Sequence, residues 1–161
     1  MILYHGSLEI VEKPEVRPSN RTLDYGIGFY TTSSARQAED WVKRRLKECD
    51  AMVGYVNSYT FDERALSVLS CLIFDSPSEQ WVDFVMRNRT QVGYNHTYDI
   101  VYGPVANDRV YASFALFEGG FLSKQNLIAE LKTYRLVDQY LFHSQTAINY
   151  LTFIEAKRVQ Q

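Results

Sequence analysis

The residues best suited to chemistry lie in the first 41 positions of this 161-residue chain. Segment 3–7 reads Leu-Tyr-His-Gly-Ser, segment 25–32 reads Tyr-Gly-Ile-Gly-Phe-Tyr-Thr-Thr, and Trp41 follows Tyr30 by eleven residues. Aromatic rings stack on nucleobases and on nicotinamide, and a flat cationic ring gains a cation–π component of about 1 kcal/mol per contact. Gly6 has no Cβ, so a ligand can approach its backbone. These residue types predict a site that holds a flat ligand ring.

Short strands and one amphipathic helix must position these residues. Residues 2–4 and 29–32 are apolar, aromatic and β-branched, and predict two strands. Residues 35–48 carry apolar side chains at helical spacing, with Ser33 or Ser34 as the N-cap, and predict the clearest helix.

The rest of the chain reads as helices and strands in mixed order. Strands are predicted over 52–61, 99–102, 140–142 and 153–159, the last at a sheet edge, and helices over 65–74, 78–88, 108–117, 123–132 and 144–150. With no repeat, low-complexity tract or linker, this order predicts one α+β domain over residues 1–161.

Composition excludes several classes of protein. A net charge of -2 argues against a globally basic nucleic-acid wrapper, and 46 % hydrophobic residues argue against a disordered chain. No apolar run approaches the roughly 20 residues that span a bilayer, and no signal peptide is evident. Cys49 and Cys71 lack CxxC spacing, and three scattered histidines give no zinc pattern. We therefore expect a cytoplasmic protein with no membrane contact and no metal.

Common nucleotide and hydrolase motifs are absent or broken. Gly26 and Gly28 could open a dinucleotide fingerprint, but Thr31 stands where its third glycine belongs. No GxxxxGK[ST], HExxH or GxSxG pattern occurs. The basic cluster at 43–47 predicts a solvated helix face, with phosphate contact as the alternative, and His96 and His143 predict structural histidines.

Three separated motifs together resemble the NAD-binding core of ADP-ribosyltransferases of the diphtheria-toxin and poly(ADP-ribose) polymerase type. In that family a first strand ends in His-Gly, a second carries Gly-x-Gly-[apolar]-Tyr with an aromatic eleven residues on, and a late strand carries a Glu. Here segment 138–142 reads Asp-Gln-Tyr-Leu-Phe, which puts Gln139 at the position of that Glu. The whole chain also resembles a family of small bacterial proteins of unassigned function that shares a Gly-x-Val-Ala-Asn-Asp segment.

The resemblance implies a fold, a substrate and residue roles. The fold is α+β, with two small packed β-sheets, surrounding helices and an NAD cleft. NAD is the substrate and no metal is needed. The implied catalytic residues are His5, Tyr30 and Gln139, and the implied NAD-binding residues are His5, Gly6, Ser7, Gly28, Tyr30 and Trp41. His5 would bind the adenosine ribose, Gly6 the carboxamide of nicotinamide, and Tyr30 with Trp41 the nicotinamide ring.

Gln139 is the main departure from the family pattern. Its amide can hydrogen-bond the 2′-hydroxyl of the nicotinamide ribose, but it cannot place negative charge beside a developing cation. Asp138 cannot simply replace it, because adjacent residues on a strand face opposite sides. We therefore expect slow or lost catalysis. In the resembling family the Glu supports chain elongation, so the resemblance implies transfer of single ADP-ribose units rather than polymers.

Four further residues are candidates either for contact with the substrate or for holding the substrate-contacting residues in place. Asn107 or Asp108 either caps the following helix or joins the substrate face. Asp24 either fixes the turn at 26–28 or lines the entrance of the nicotinamide pocket, and Tyr25 lies beside it.

The expected function is that of a mono-ADP-ribosyltransferase-like enzyme that modifies a protein or nucleic-acid acceptor. Similarity to small bacterial proteins extends this to the toxin of a toxin-antitoxin or defence system with a small antitoxin partner. The alternatives are a non-catalytic module that binds NAD, ADP-ribose or nucleic acid, and a NAD glycohydrolase.

Overall fold

The computed structural model describes residues 1–18, 23–104, 108–134 and 136–160. The strands of this part are β1 (Ile2–Ser7), β2 (Phe29–Thr31), β3 (Val53–Phe61), β4 (Cys71–Ile73), β5 (Ile100–Pro104), β6 (Asp138–Phe142) and β7 (Leu151–Gln160). The helices are α1 (Ala35–Glu48), α2 (Ala65–Val68), α3 (Glu79–Thr90), α4 (Asp108–Glu118), α5 (Lys124–Leu131) and α6 (Gln145–Ile148).

The strands form two small sheets, so the predicted α+β class is confirmed. One sheet has the order β1-β3-β7 and is antiparallel throughout, with β7 at an edge as predicted. The other has the order β2-β6-β5-β4, in which only β4 and β5 run parallel. A bridge between Tyr4 and Thr32, with backbone bonds of 2.8 and 2.9 Å, joins the sheets where β1 meets the end of β2. This junction brings the two predicted ligand-binding motifs side by side.

Three clusters of buried side chains hold the layers together. The first contains residues of both sheets, among them Leu3, Tyr59, Phe61, Phe29, Ile100, Tyr140 and Phe142. The second packs α3, α4 and α5 on the other face of the β2-β6-β5-β4 sheet, around Trp81, Val85, Phe114, Leu127 and Leu141. The third packs α1 on β3 and β7. Because side chains alternate along β6, its residues serve both faces of the sheet.

The helix predicted over residues 35–48 is confirmed as α1. Its N-cap Ser34 accepts a hydrogen bond from the backbone N–H of Gln37 at 3.2 Å. Ala38, Val42 and Leu46 recur every four residues and are buried against the sheet. Trp41 follows Ala38 by three residues, so it lies next to this buried face, where it lines a cavity between α1 and the sheets.

The helix predicted over residues 65–74 is wrong in its second half. Only Ala65–Val68 is helical, and Cys71–Ile73 forms strand β4. A short apolar run fits a buried helix and a buried strand equally well. Here the parallel pairing of β4 with β5 decides the conformation.

Substitution of Tyr25 by Phe is expected to destabilise the fold by about 2 kcal/mol. The buried hydroxyl of Tyr25 donates to the carbonyl of Pro104 at 2.6 Å and accepts from the indole N–H of Trp81 at 2.8 Å. Its removal leaves both partners buried without a bond. Urea unfolding would measure the loss, with Tyr55→Phe as the control, because the side chain of Tyr55 is only half-buried. Equal stability of the two variants would contradict the prediction.

Candidate functional site

A cavity of about 690 Å³ opens between the two sheets and three helices of the described part. Its walls are β1 with the segment after it, the turn before β2, one face of α1, the ends of α3 and α4, and the start of β6. The side chains and backbone of His5, Gly6, Ser7, Asp24, Gly28, Tyr30, Trp41 and Gln139 line it. Eight of the eleven residues singled out from the sequence therefore share one cavity.

The other three candidates are placed differently. Tyr25 is fully buried behind the cavity, where its hydroxyl bonds Trp81 and Pro104, so it makes no surface for a substrate. Asn107 lies outside the described residues, and Asp108 is described only as the first residue of α4. The choice between cap and substrate face at these two positions stays a prediction.

His5 is held in one orientation on β1. Its Nδ1–H donates to the carbonyl of Tyr30 at 2.7 Å, and its ring lies 4.4 Å from that of Phe29. Burial lowers the pKa of His5, opposed by the bond to Tyr30 and assisted by the charge of Arg17. A neutral imidazole with Nδ1 protonated has Nε2 as an acceptor, which suits a ligand hydroxyl.

Gly6 is required by helix packing. A Cβ there would lie 2.5 Å from the carbonyl oxygen of Ala38 and 3.0 Å from Cδ1 of Trp41. The missing side chain therefore lets α1 dock directly on β1, and the implied contact of the Gly6 backbone with a ligand stays a prediction. The same close approach sets Trp41 at the cavity wall beside Gly6.

The hydroxyl of Tyr30 is fixed by the turn that precedes β2. It donates to the carbonyl of Gly26 at 2.5 Å and accepts from the backbone N–H of Tyr25 at 3.3 Å. Gly28 is needed where this turn meets β6, because a Cβ would lie 2.5 Å from the carbonyl oxygen of Phe142. Tyr30 thus presents a ring whose position depends on the turn.

Trp41 is 40 % exposed and carries a cation on its ring. The guanidinium carbon of Arg44 lies 4.5 Å from the ring centroid, a cation–π contact on the same helix face. Arg44 lines the cavity together with Arg17, so at this residue the alternative of phosphate contact for segment 43–47 stays open. Residues three apart on a helix lie side by side, so the spacing from Trp41 to Arg44 could have predicted the contact between their side chains.

Gln139 and Asp138 face opposite sides of the sheet, as predicted. Tyr30 pairs with Leu141 in the register of β2 and β6, so Gln139 shares the face of Tyr30. The carboxylate of Asp138 instead accepts from the hydroxyl of Thr32 at 2.9 Å and from the backbone N–H and hydroxyl of Ser33 at 2.8 and 2.5 Å. Asp138 therefore anchors the start of α1.

An ion-pair network closes the far end of the cavity. Nε of Arg89 lies 2.7 Å from the carboxylate of Asp24, and its Nη1 lies 3.3 Å from Glu118. The guanidinium also lies 4.8 Å from the ring centroid of Phe114. Asp24 thus lines the cavity and joins the turn before β2 to α3. Sequence reasoning missed Arg89, because no local signal connects α3 to Asp24.

Stability is expected to fall on acidification below about pH 6.5, in part through His5. Its pKa in the folded chain lies below the ordinary value of 6.5. The unfolded chain therefore takes up the proton first, so the stability is complete above pH 6.5 and declines toward the lower folded pKa. The slope is at most about 1.4 kcal/mol per pH unit for each such histidine.

Urea unfolding at pH 7.5 and 5.5 would measure this slope. In the variant His5→Asn an amide N–H replaces Nδ1–H without a titrating group, so the slope should become shallower. An unchanged slope would rule His5 out as a source of the acid sensitivity.

Among the described residues, no group of three or more His, Cys, Asp and Glu side chains could hold a metal ion. No described helix is long and apolar enough to cross a membrane. Cys49 and Cys71 are both free thiols.

Comparison with known proteins gives one match. A family model described as a protein of unknown function, DUF3990, matches residues 1–153. No curated protein and no solved structure matches the chain.

Proposed function

The chain belongs to the DUF3990 family of proteins of unknown function, and we propose that it is a mono-ADP-ribosyltransferase-like enzyme that cleaves NAD in the cavity. It transfers ADP-ribose to a macromolecular acceptor. A small neutralising partner protein is part of the proposal by analogy with the bacterial proteins it resembles.

One observation carries the proposal. Motif residues from three distant segments, among them His5, Tyr30, Trp41 and Gln139, line the same cavity. The order of these motifs along the chain is the order in the NAD-binding core of the ADP-ribosyltransferases that the sequence resembles. A cavity of about 690 Å³ also lies in the range of cofactor and small-molecule sites.

The site residues suit the bond that must break. The glycosidic bond from C1′ of the ribose to N1 of nicotinamide breaks, and nicotinamide leaves with the bonding electron pair. The C1′ carbon develops positive charge, as in glycoside cleavage. A nucleophile of the acceptor then bonds to C1′, and its proton passes to water. Tyr30 and Trp41 hold the ring, neutral His5 accepts from a ribose hydroxyl, and Gln139 orients the 2′-hydroxyl.

A second candidate is a module that binds NAD or ADP-ribose without cleaving it. Gln139 favours this function, because a neutral amide gives little stabilisation to the cation at C1′. Three nearby carboxylates are also engaged: Asp24 and Glu118 contact Arg89, and Asp138 accepts three hydrogen bonds.

Incubation of the purified protein with labelled NAD and bacterial lysate tests both candidates. Protein, RNA and DNA are recovered separately, and nicotinamide release is measured in parallel. The variant Trp41→Ala removes a cavity ring, whereas Phe121→Ala removes a ring that is 84 % exposed and outside the cavity.

Label in one fraction that is lost in Trp41→Ala and kept in Phe121→Ala supports the transferase and names its acceptor class. Nicotinamide release without label identifies a glycohydrolase. Saturable NAD binding without release leaves the binding module. If NAD is neither bound nor cleaved, both candidates fall.

A further inference from the structure

Two histidines stack behind the turn that precedes β2. The ring centroids of His96 and His143 lie 4.2 Å apart with an interplanar angle of 36°. Nε2–H of His96 donates to the carbonyl of Tyr25 at 2.7 Å, and Nδ1–H of His143 donates to the carbonyl of Ile27 at 2.5 Å. The two histidines therefore bind the backbone carbonyls on either side of Gly26.

The turn that the two histidines bind, residues 25–28, contributes to the wall of the cavity. The carbonyl of Gly26 accepts the hydroxyl of Tyr30 at 2.5 Å, and Gly28, two residues on, lines the cavity. Movement of the turn would therefore move both the ring of Tyr30 and the backbone beside it. His143 is itself held in place, because its backbone N–H donates to the carbonyl of Asp99 at 2.8 Å.

We propose that His96 and His143 are positioning residues that hold the turn 25–28, and through it Tyr30, in the ligand-binding arrangement, and that His96 does so only while its imidazole is uncharged. The activity part of this inference rests on the proposed function. The geometric part does not.

The hydrogen-bond pattern explains why the ring of His96 must be neutral. Nδ1 of His96 accepts from the backbone N–H of Tyr98 at 3.3 Å, so its proton lies on Nε2. A second proton on His96 would abolish that acceptor. Two charged rings 4.2 Å apart would also repel each other.

Two carboxylates on segments that contact the pair already have other partners. Asp99 accepts from the backbone N–H of Ser70 and the hydroxyl of Ser144, at 3.1 and 2.5 Å. Asp24, on the turn, pairs with Arg89.

The side chains nearest to His96 on neighbouring segments do not neutralise a second proton. α3 presents the ring of Phe84 at 5.3 Å, and the ring of Tyr98 lies 5.8 Å away. Burial lowers the pKa of His96, opposed by its bond to Tyr25 and assisted by the charge of His143. The surroundings therefore favour the neutral form.

Paired substitutions separate donor, charge and packing. His96→Gln and His143→Asn keep an N–H near the nitrogen that donates now and do not titrate. His96→Leu and His143→Leu remove the donor. Asn95→Leu is the matched control, because Asn95 is exposed and adjacent to His96.

Two measurements are made on each variant: amide hydrogen exchange over residues 25–30, and NAD binding from pH 5.5 to 8. At pH 7.5 each Leu variant should speed exchange in the turn and weaken NAD binding by about fivefold to tenfold, the effect of one lost hydrogen bond. The double variant His96→Gln, His143→Asn should retain most of the affinity at pH 7.5 and lose less affinity between pH 7.5 and 5.5 than the natural protein, in which His5 and His96 both titrate.

The inference is overturned if the Leu variants exchange like Asn95→Leu, or if the affinity falls on acidification as steeply in the double variant as in the natural protein. Should a Leu variant fail to fold, the double variant still decides the outcome through its pH profile. If the natural protein neither binds nor cleaves NAD, while exchange in the turn responds as expected, the proposed function falls and the positioning role stands.

Discussion

Replacement of Gln139 by Glu is expected to raise the rate of nicotinamide release from NAD by about a hundredfold. A carboxylate at this position places a full negative charge on the face of the sheet that Tyr30 shares. Groups that stabilise charge only in the transition state change rates by roughly two to three orders of magnitude. The side chains of Gln and Glu have the same shape, so the fold and the binding of NAD should change little.

Single-turnover release of nicotinamide, with the affinity for NAD measured separately, checks this expectation. Gln125→Glu adds the same charge on the exposed surface of α5, outside the cavity, and should leave the rate unchanged. Gln139→Ala should be slower than the natural protein, because it also loses the hydrogen bond to the ribose. A Gln139→Glu variant that binds NAD and releases nicotinamide at the natural rate would show that charge at this position does not limit the reaction.

Local patterns in the sequence predict the elements whose stabilising features lie within or next to their own residues. Helix α1 has its predicted bounds because its cap and its apolar spacing lie within its own residues. Strands β1, β2 and β3 were recognised from β-branched and aromatic runs, although β1 runs on to Ser7. Strand β4 was missed, because its conformation depends on pairing with β5 rather than on its own three residues.

The residues of the candidate site also divide into those that local motifs predict and those whose contacts depend on distant parts of the chain. His5, Tyr30 and Trp41 belong to motifs that can be read along the chain, and all three line the cavity. Arg89, His96 and His143 contact partners far away in the sequence. The residue type of the two histidines predicts only structural roles, and no local signal points to Arg89. The reason for Gly6 was also hidden, because the helix that packs on it begins many residues later.

Substitution of Arg89 by Met is expected to destabilise the fold by about 3 kcal/mol, which is typical when one partner of a buried ion pair is removed. The side chains of Arg89 and Asp24 are each only 13 % exposed, and 2.7 Å separates Nε of Arg89 from the carboxylate of Asp24. Met keeps the apolar stem beside Phe114 but leaves the carboxylate of Asp24 without its guanidinium. Because Asp24 belongs to the segment that carries the turn 25–28, the cavity should lose shape together with stability.

A double-mutant cycle in urea, with Asp24→Asn, Arg89→Met and the combination, separates the pair from its surroundings. The double variant should be more stable than Arg89→Met alone, because the uncompensated charge has been removed as well. Arg87→Met, at an exposed position on the same helix, should change stability by less than about 0.5 kcal/mol. If Arg89→Met unfolds at the same urea concentration as Arg87→Met, the ion pair contributes little, and the turn before β2 must be held mainly by His96, His143 and the hydroxyl of Tyr30.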